Sequence, residues 1–226
     1  MHFFKITKLK DIDPDDLMEM IIRVEASFAV KFEDEELARI SKFGELCDLT
    51  KHKITLKDTG GCTSQQAFYK LRNSLVDVLG VDKHLITPST PLSDLLPGNN
   101  RKASIQQLEQ ELGMKLPILR PPHVVTTLLS LLLLASFIQL FFVWQLGLAG
   151  LGLSIFGFWV SNQLGNELDV KTLGQLTQKI TRENYRKSRR NPGTCNKQEI
   201  EKVLIDWFSH DLGVNKSHLT RDASFT

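Results

Sequence analysis

A stretch without charge constrains this chain more than any other feature of its sequence. Residues 121–166 contain no Asp, Glu, Lys or Arg, so all 54 charged residues lie in the other 180. One helix of that length would be about 69 Å long, whereas the hydrocarbon core of a bilayer is about 30 Å thick. The stretch therefore predicts two membrane passes, one over 124–143 and a shorter one over about 146–161. We expect the turn between them near residues 144–147.

The second predicted pass carries small residues along one helix face. They are Gly147, Gly150, Ser154, Gly157 and Ser161. Small residues let two helix backbones approach closely in lipid. We expect this face to pack against the first pass, and the alternative is a face through which the hairpin forms an oligomer. No charge lies at membrane depth, which argues against a pump or a transporter.

The charges on either side of the stretch predict its orientation. Lys and Arg are frequent on both flanks, so we expect an integral, two-pass protein with both termini in the cytoplasm and the lipid bilayer as a partner. The net charge of +2 is smaller than a nucleic-acid-binding surface usually needs, and no nucleic-acid partner is expected. The histidines and the three cysteines have no metal-ligand spacing, so no metal site is expected either.

Short motifs recur in the polar flanks. Leu79–Lys83 resembles Leu212–Lys216 at an offset of 133, Phe43–Leu46 resembles Leu173–Leu176 at 130, and Val24–Phe32 resembles Leu108–Leu116 at 84. The offsets 130 and 84 differ by 46 residues, which is the length of the uncharged stretch. The simplest interpretation is one helical unit present twice, with a membrane hairpin inserted into the second copy.

The order of these pieces resembles the acyl carrier protein family, a small four-helix bundle. In the middle of the chain, 65–79 resembles its first helix, Ile86-Thr87-Pro88 its long loop, 104–112 its second helix and 170–180 its last. The other copy resembles a circularly permuted form of the same unit. There, 14–28, 33–40 and 42–49 resemble the second to fourth helices, and 197–225 resembles the first helix and loop.

The resemblance implies an all-α fold of two acyl-carrier-like four-helix bundles and a two-helix transmembrane hairpin. The predicted domains are residues 1–57 completed by 196–226, a second bundle of 63–116 with 167–181, the hairpin 121–166 and a basic linker 182–195. The cations of that linker suit either contact with lipid headgroups or a solvated connection. Residues 59–63 read as a linker between the copies, followed by a cap pair of Thr63 and Gln66.

The residue that defines a working carrier is missing. The family attaches 4′-phosphopantetheine to the serine of an Asp-Ser-Leu motif at the start of the second helix, and this chain contains no such motif. The matching positions fall at about Pro14 and Gly98. Ser93 lies too early and Ser104 too late. We therefore expect no cofactor, and no nucleophile–base arrangement predicts an enzyme.

The leading functional hypothesis is a membrane-anchored, non-catalytic interaction module. The resemblance implies that the second helix docks partner enzymes, here through Asp15, Asp16 and Glu19, and that the partners process acyl groups or lipids. One alternative is a genuine carrier, because Asp222–Phe225 resembles the lead-in to the modified serine; that copy would be completed by residues 1–57, or the chain would be cut short. A second alternative is a structural or oligomeric membrane protein.

Overall fold

The computed structural model describes residues 8–225, and those residues are mostly helical. The α-helices are α1 Pro14–Phe28, α2 Asp34–Leu37, α3 Phe43–Lys53, α4 Thr63–Leu79, α5 Leu92–Leu95, α6 Arg101–Leu112, α7 His123–Gln139, α8 Trp144–Leu164, α9 Leu173–Glu183, α10 Tyr185–Ser188 and α11 Ile200–Asp211. The strands have two residues each: β1 Lys57–Asp58, β2 Leu119–Arg120, β3 Glu167–Leu168 and β4 Thr194–Cys195. Single 3₁₀ turns lie at Leu9–Asp11, Lys83–Leu85 and Lys216–His218.

The chain divides into two compact units. The first consists of Met1–Asp77, Leu112–Met114 and Thr177–Thr226, and the second of Val78–Glu111 and Lys115–Leu176. Residues 1–7 and 226 lie outside the described part, so the predicted placement of both termini falls outside it too.

One hydrophobic core holds the first unit together. Its fully buried members come from segments far apart in the sequence, namely Val24 and Phe28 of α1, Phe43 and Leu46 of α3, and Leu204, Trp207 and Phe208 of α11. Strand β1 pairs in parallel with β4, with Lys57 opposite Thr194. Residues 196–225 therefore share a core with residues 9–56, because their apolar side chains are buried only together.

Helix α1 forms where the sequence predicts it. Its bounds are Pro14–Phe28, and the carboxylate of Asp13 accepts a hydrogen bond from the backbone N–H of Asp15 at 2.9 Å. Proline suits the first position of a helix, and an aspartate cap satisfies one of its free N–H groups. Ala29 ends the helix in a left-handed conformation with φ at 51°. These local signals are strong enough to fix both ends of the helix.

The second unit contains a helical hairpin closed by a short ribbon. Helices α7 and α8 pack side by side, and β2 pairs antiparallel with β3, with Arg120 opposite Glu167. The turn spans residues 140–143, so its predicted position at 144–147 is wrong, and Trp144 begins α8. No Gly, Pro, Asn or Asp lies between α7 and α8 to mark the turn in the sequence.

The loops that follow α1 and α6 use the same hydrogen bond. The carboxylate of Glu25 accepts from the backbone N–H of Phe32 at 2.6 Å, and that of Glu109 accepts from the N–H of Leu116 at 2.6 Å. Both pairs span seven residues and lie 84 residues apart. In each loop the residue after the helix has a positive φ, 51° at Ala29 and 65° at Gly113.

The N-termini of α3 and α9 also make matching contacts. The N–H of Gly44 donates to the carbonyl of Arg221 at 2.9 Å, and the N–H of Gly174 donates to the carbonyl of Pro88 at 2.7 Å. A β-carbon would lie 2.7 Å from the acceptor oxygen at Gly44 and 2.9 Å at Gly174, so the backbone approach requires glycine in both. Two further pairs of bonds match, Phe43–Ala223 with Leu173–Thr90 and Phe225–Ser41 with Leu92–Lys171.

Candidate functional site

An apolar groove opens on the surface of the first unit. It has a volume of about 540 Å³ and lies between α1, α2, α3 and the C-terminal residue Phe225. Its walls are mainly hydrophobic: Pro14, Leu17, Met18, Ile21, Leu37, Ala38, Ile40, Leu46 and Phe225, with Asp34 as the single charged residue. Met18 is 51% exposed, and Ile22 on the next turn of α1 is 56% exposed. Large apolar surface left open beside a groove is typical of a binding surface.

Exposed carboxylates surround this groove. Asp15, Asp16 and Glu19, the residues predicted to dock a partner, all lie exposed on α1. Glu33, Asp34 and Glu35 are exposed at the start of α2. Within residues 8–225 none of these six side chains forms an ion pair, whereas Glu36 pairs with Lys53 at 2.7 Å. The groove therefore has a rim of uncompensated negative charge.

The positions that correspond to the family's modified serine carry no hydroxyl. Pro14 lines the groove at the start of α1, and Gly98 lies in the loop before α6. Ser93 lies within α5, where its hydroxyl donates to the carboxylate of Asp94 at 3.1 Å, and Ser104 lies within α6. The C-terminal residues do return to the groove, because the N–H of Phe225 donates to the carbonyl of Ser41 at 2.9 Å.

The small-residue face of the hairpin packs inward. A β-carbon added to Gly147 would lie 2.7 Å from Leu140, and one added to Gly157 would lie 2.6 Å from Leu129. Gly150 faces Ser136, and Ser154 and Ser161 are both buried. This face is covered by α7, as the sequence analysis expected, so an oligomer formed through the hairpin would have to use another face.

The outer surface of the hairpin is strongly apolar. Nineteen of the twenty-three exposed large hydrophobic side chains in residues 8–225 belong to residues 124–164. Within the same described range, α8 is the one helix long and apolar enough to cross a membrane, and α7 is a shorter apolar helix of 17 residues. The predicted lengths are thus reversed, because α8 is the longer of the two helices.

A buried arginine organises residues that the sequence analysis read as linkers. The guanidinium of Arg189 is 1% exposed and donates to the hydroxyls of Thr63 at 2.5 Å, Thr194 at 3.1 Å and Thr59 at 3.2 Å. It also lies 3.4 Å from the carboxylate of Glu199. Glu199 accepts in turn from the backbone N–H of Thr63 at 3.1 Å, so it caps the start of α4.

These contacts correct two interpretations. Thr63 and Gln66 do not form the predicted cap pair, because Thr63 bonds to Glu199 and the Gln66 side chain accepts from the N–H of Arg190. The run 182–195 is not a simple basic linker, because α10 lies within it and Arg182 and Arg189 are buried. Sequence reasoning missed Glu199 and Arg189, since nothing local marks a pairing with residues more than 120 positions away.

Tyr185 completes this buried cluster. Its hydroxyl donates to the carboxylate of Glu199 at 2.8 Å and accepts from the N–H of Asn196 at 3.0 Å. Burial raises the pKa of Tyr185 to about 12. Every hydrogen-bonding atom of the Arg189 guanidinium has a partner, so the cluster acts as a structural core and offers no free group for chemistry.

Cysteine reactivity provides a test of this packing. Burial raises the pKa of the Cys47 thiol to about 12 and raises that of Cys195, whereas Cys62 is exposed. Because the thiolate is the reactive form, iodoacetamide at about pH 8 should add one label per native chain, at Cys62, and none to a Cys62→Ser variant. Mass spectrometry of labelled peptides gives the result. Labelling of Cys47 or Cys195 in the native protein at the rate of Cys62 would contradict the packing.

The described residues contain no group of three His, Cys, Asp or Glu side chains that could hold a metal ion. The chain has no significant match among protein-family models, curated proteins or solved structures. Function must therefore be argued from the groove, its acidic rim and the apolar hairpin.

Proposed function

We propose that this protein is a membrane-anchored interaction module without catalytic activity, made of two copies of an acyl-carrier-like helical unit. One copy presents the apolar groove and its acidic rim, and the other carries the hairpin. The observation that carries the proposal is the groove with six unpaired carboxylates around it, in a chain whose hairpin exposes a continuous apolar surface.

The recurring hydrogen bonds support the two copies. The Glu25–Phe32 and Glu109–Leu116 pairs recur at the sequence offset of 84, and the contacts of Gly44 and Gly174 recur at 130 on one side and 133 on the other. Chance would not reproduce the same offsets in motifs and in contacts. The segment that supplies the acceptor follows Gly44 in the chain and precedes Gly174, which is the order that a circular permutation produces.

The composition of the hairpin supports a membrane anchor with two passes. A charge-free stretch whose outer surface is covered with Leu, Ile, Val, Phe and Trp is stable in hydrocarbon and costly to hydrate. The β2–β3 ribbon holds the two ends of the hairpin side by side, and Lys and Arg are frequent on both flanks. Both flanks therefore lie on the cytoplasmic side of the bilayer.

The two copies use the matching helix face in different ways. Leu17 and Met18 of α1 line the groove, and the residues 84 positions later are Arg101 and Lys102 of α6. Lys102 donates to the carbonyl of Gln163 at 2.8 Å, and Arg101 donates to the carbonyl of Asn166. In the second copy this face fastens the hairpin, and in the first copy it remains open for a partner.

The partners we propose are acyl- or lipid-processing enzymes that work at the bilayer. The class comes from the resemblance to carriers, and the chemistry of the surface adds a requirement. The partner must present basic side chains toward Asp15, Asp16 and Glu19 and an apolar group toward the groove. Charge complementarity of this kind accelerates association and selects among partners.

Affinity capture with variants tests this proposal. Full-length protein in mild detergent should retain an acyl- or lipid-processing enzyme, identified by mass spectrometry. The triple variant Asp15→Asn/Asp16→Asn/Glu19→Gln should lose at least about tenfold of the recovered enzyme, since each lost charge pair is worth about 0.2–1 kcal/mol. A matched control, Asp77→Asn/Glu111→Gln, removes exposed carboxylates away from the groove and should change nothing. Recovery of no enzyme of this class, or equal recovery by the triple variant, would reject the proposed function.

A further inference from the structure

Cations gather where the hairpin leaves the rest of the second unit. We call this group the collar; it consists of Arg101, Lys102, Arg120 and Asn166. Lys102 lies at the last turn of α8, and Arg101 reaches the backbone just beyond that turn. The amide nitrogen of Asn166 donates to the carbonyl of Gly98 at 2.9 Å, which ties the collar to the loop before α6.

The charge of the collar is only partly balanced. Arg120 lies 3.9 Å from the carboxylate of Glu167 and 3.8 Å from that of Asp169. Arg101 and Lys102 bond to backbone carbonyls and form no ion pair with a carboxylate in the part of the chain that the structure describes. The collar therefore retains positive charge at the point where the charge-free stretch ends.

The collar region also contains buried polar atoms without partners. The Nε of Arg120, the Oδ1 of Asn166 and the Oγ of Ser161 are buried and make no hydrogen bond within the protein. Ser161 as a whole is 8% exposed. Buried polar atoms are normally satisfied, so a group of them at one place indicates a polar ligand or ordered water. Here they lie at the end of the hairpin, together with the unpaired cations.

The level of this region in the bilayer identifies the ligand. The uncharged stretch ends at Asn166, and the collar lies at that end, so a hairpin in a bilayer places it among the lipid headgroups. We infer that the collar binds the phosphate of an anionic phospholipid of the cytoplasmic leaflet, with Arg101 and Lys102 supplying the charge. The inference rests on the proposed insertion of the hairpin and adds the lipid class that the anchor selects.

Native mass spectrometry of the full-length protein in detergent tests the collar, with phosphatidylglycerol and phosphatidylcholine as probes. Wild-type protein should bind phosphatidylglycerol more tightly, and rising salt should weaken that binding alone. The Arg101→Gln/Lys102→Gln variant should lose about 25-fold in affinity for phosphatidylglycerol, at about fivefold per cation. Arg101→Lys keeps the charge and should retain most of the affinity. Lys83→Gln/Lys115→Gln, in the same unit away from the hairpin, should bind as the wild type does.

Each outcome decides the inference. Equal affinity of wild-type protein for the two lipids, or unchanged phosphatidylglycerol affinity in the collar variant, would overturn it. The salt dependence of the wild type keeps the test valid if the double variant does not fold. Failure of the membrane anchor itself is a separate result: the protein would then be extracted by alkaline carbonate from vesicles of phosphatidylcholine alone.

Discussion

Replacing residues 121–166 with an Asn-Gly turn should give a protein that is soluble without detergent and still folded. The β2–β3 ribbon makes this replacement feasible, because Arg120 and Glu167 lie opposite each other and a two-residue turn closes such a pair. The deletion removes nineteen exposed large apolar side chains, each of which favours burial by about 1.5–3 kcal/mol. Sedimentation in aqueous buffer and the far-UV circular dichroism of the supernatant measure the two effects.

The full-length chain in the same buffer is the control and should sediment as aggregate or with membranes. A shortened chain that is soluble and melts cooperatively supports a hairpin that is an appendage to the helical units. A shortened chain that aggregates or lacks helical signal would show that α7 and α8 belong to the core of the fold. The account of the hairpin as an anchor would then be wrong.

Substitution of Arg189 should cause the largest loss of stability among single changes. Arg189→Leu leaves the carboxylate of Glu199 without its cation and the hydroxyl of Thr63 without a donor, in an environment where Arg189 is 1% exposed. Breaking a buried pair from one side costs about 3–5 kcal/mol. Thermal unfolding of the full-length protein in mild detergent, followed by circular dichroism, should show a clear fall in the midpoint.

The neighbouring residue provides a matched control for that prediction. Arg190 is exposed, and among the described residues its side chain forms no ion pair, so Arg190→Gln should change stability by no more than about 0.5 kcal/mol. Arg189→Lys keeps the charge without the planar fork of donors and should give an intermediate loss. Equal melting of the Arg189→Leu and Arg190→Gln proteins would contradict the role assigned to the buried cluster.

The sequence predicts the helices well where the signals are local. Asp13 and Pro14 mark the start of α1, and the apolar spacing through Phe28 marks its buried face, so both ends agree with the structure. The charge-free stretch predicts a two-helix hairpin for a similar reason, because composition alone rules out a polar environment. The position of the turn fails, since Leu140–Val143 carries no residue that favours a turn over a helix.

Contacts between distant segments could not be predicted in the same way. Arg189 sits in a run of cations that looks like a solvated linker, and its role depends on Glu199 and on the start of α4. The groove likewise depends on Phe225 returning to Ser41, which no local pattern encodes. The repeat offsets carry some of this information, because they predict which segments occupy equivalent places, but they identify no side-chain partner.

Protease protection of the full-length protein in sealed vesicles tests the central claim most directly. Protease added on the side that holds the helical units should digest both flanks and leave one protected fragment spanning about residues 121–166, detected by mass spectrometry. Protease added on the opposite side should leave the chain intact. Loss of the fragment, or protection of one flank while the other is digested, would contradict a membrane hairpin whose two ends return to the same side.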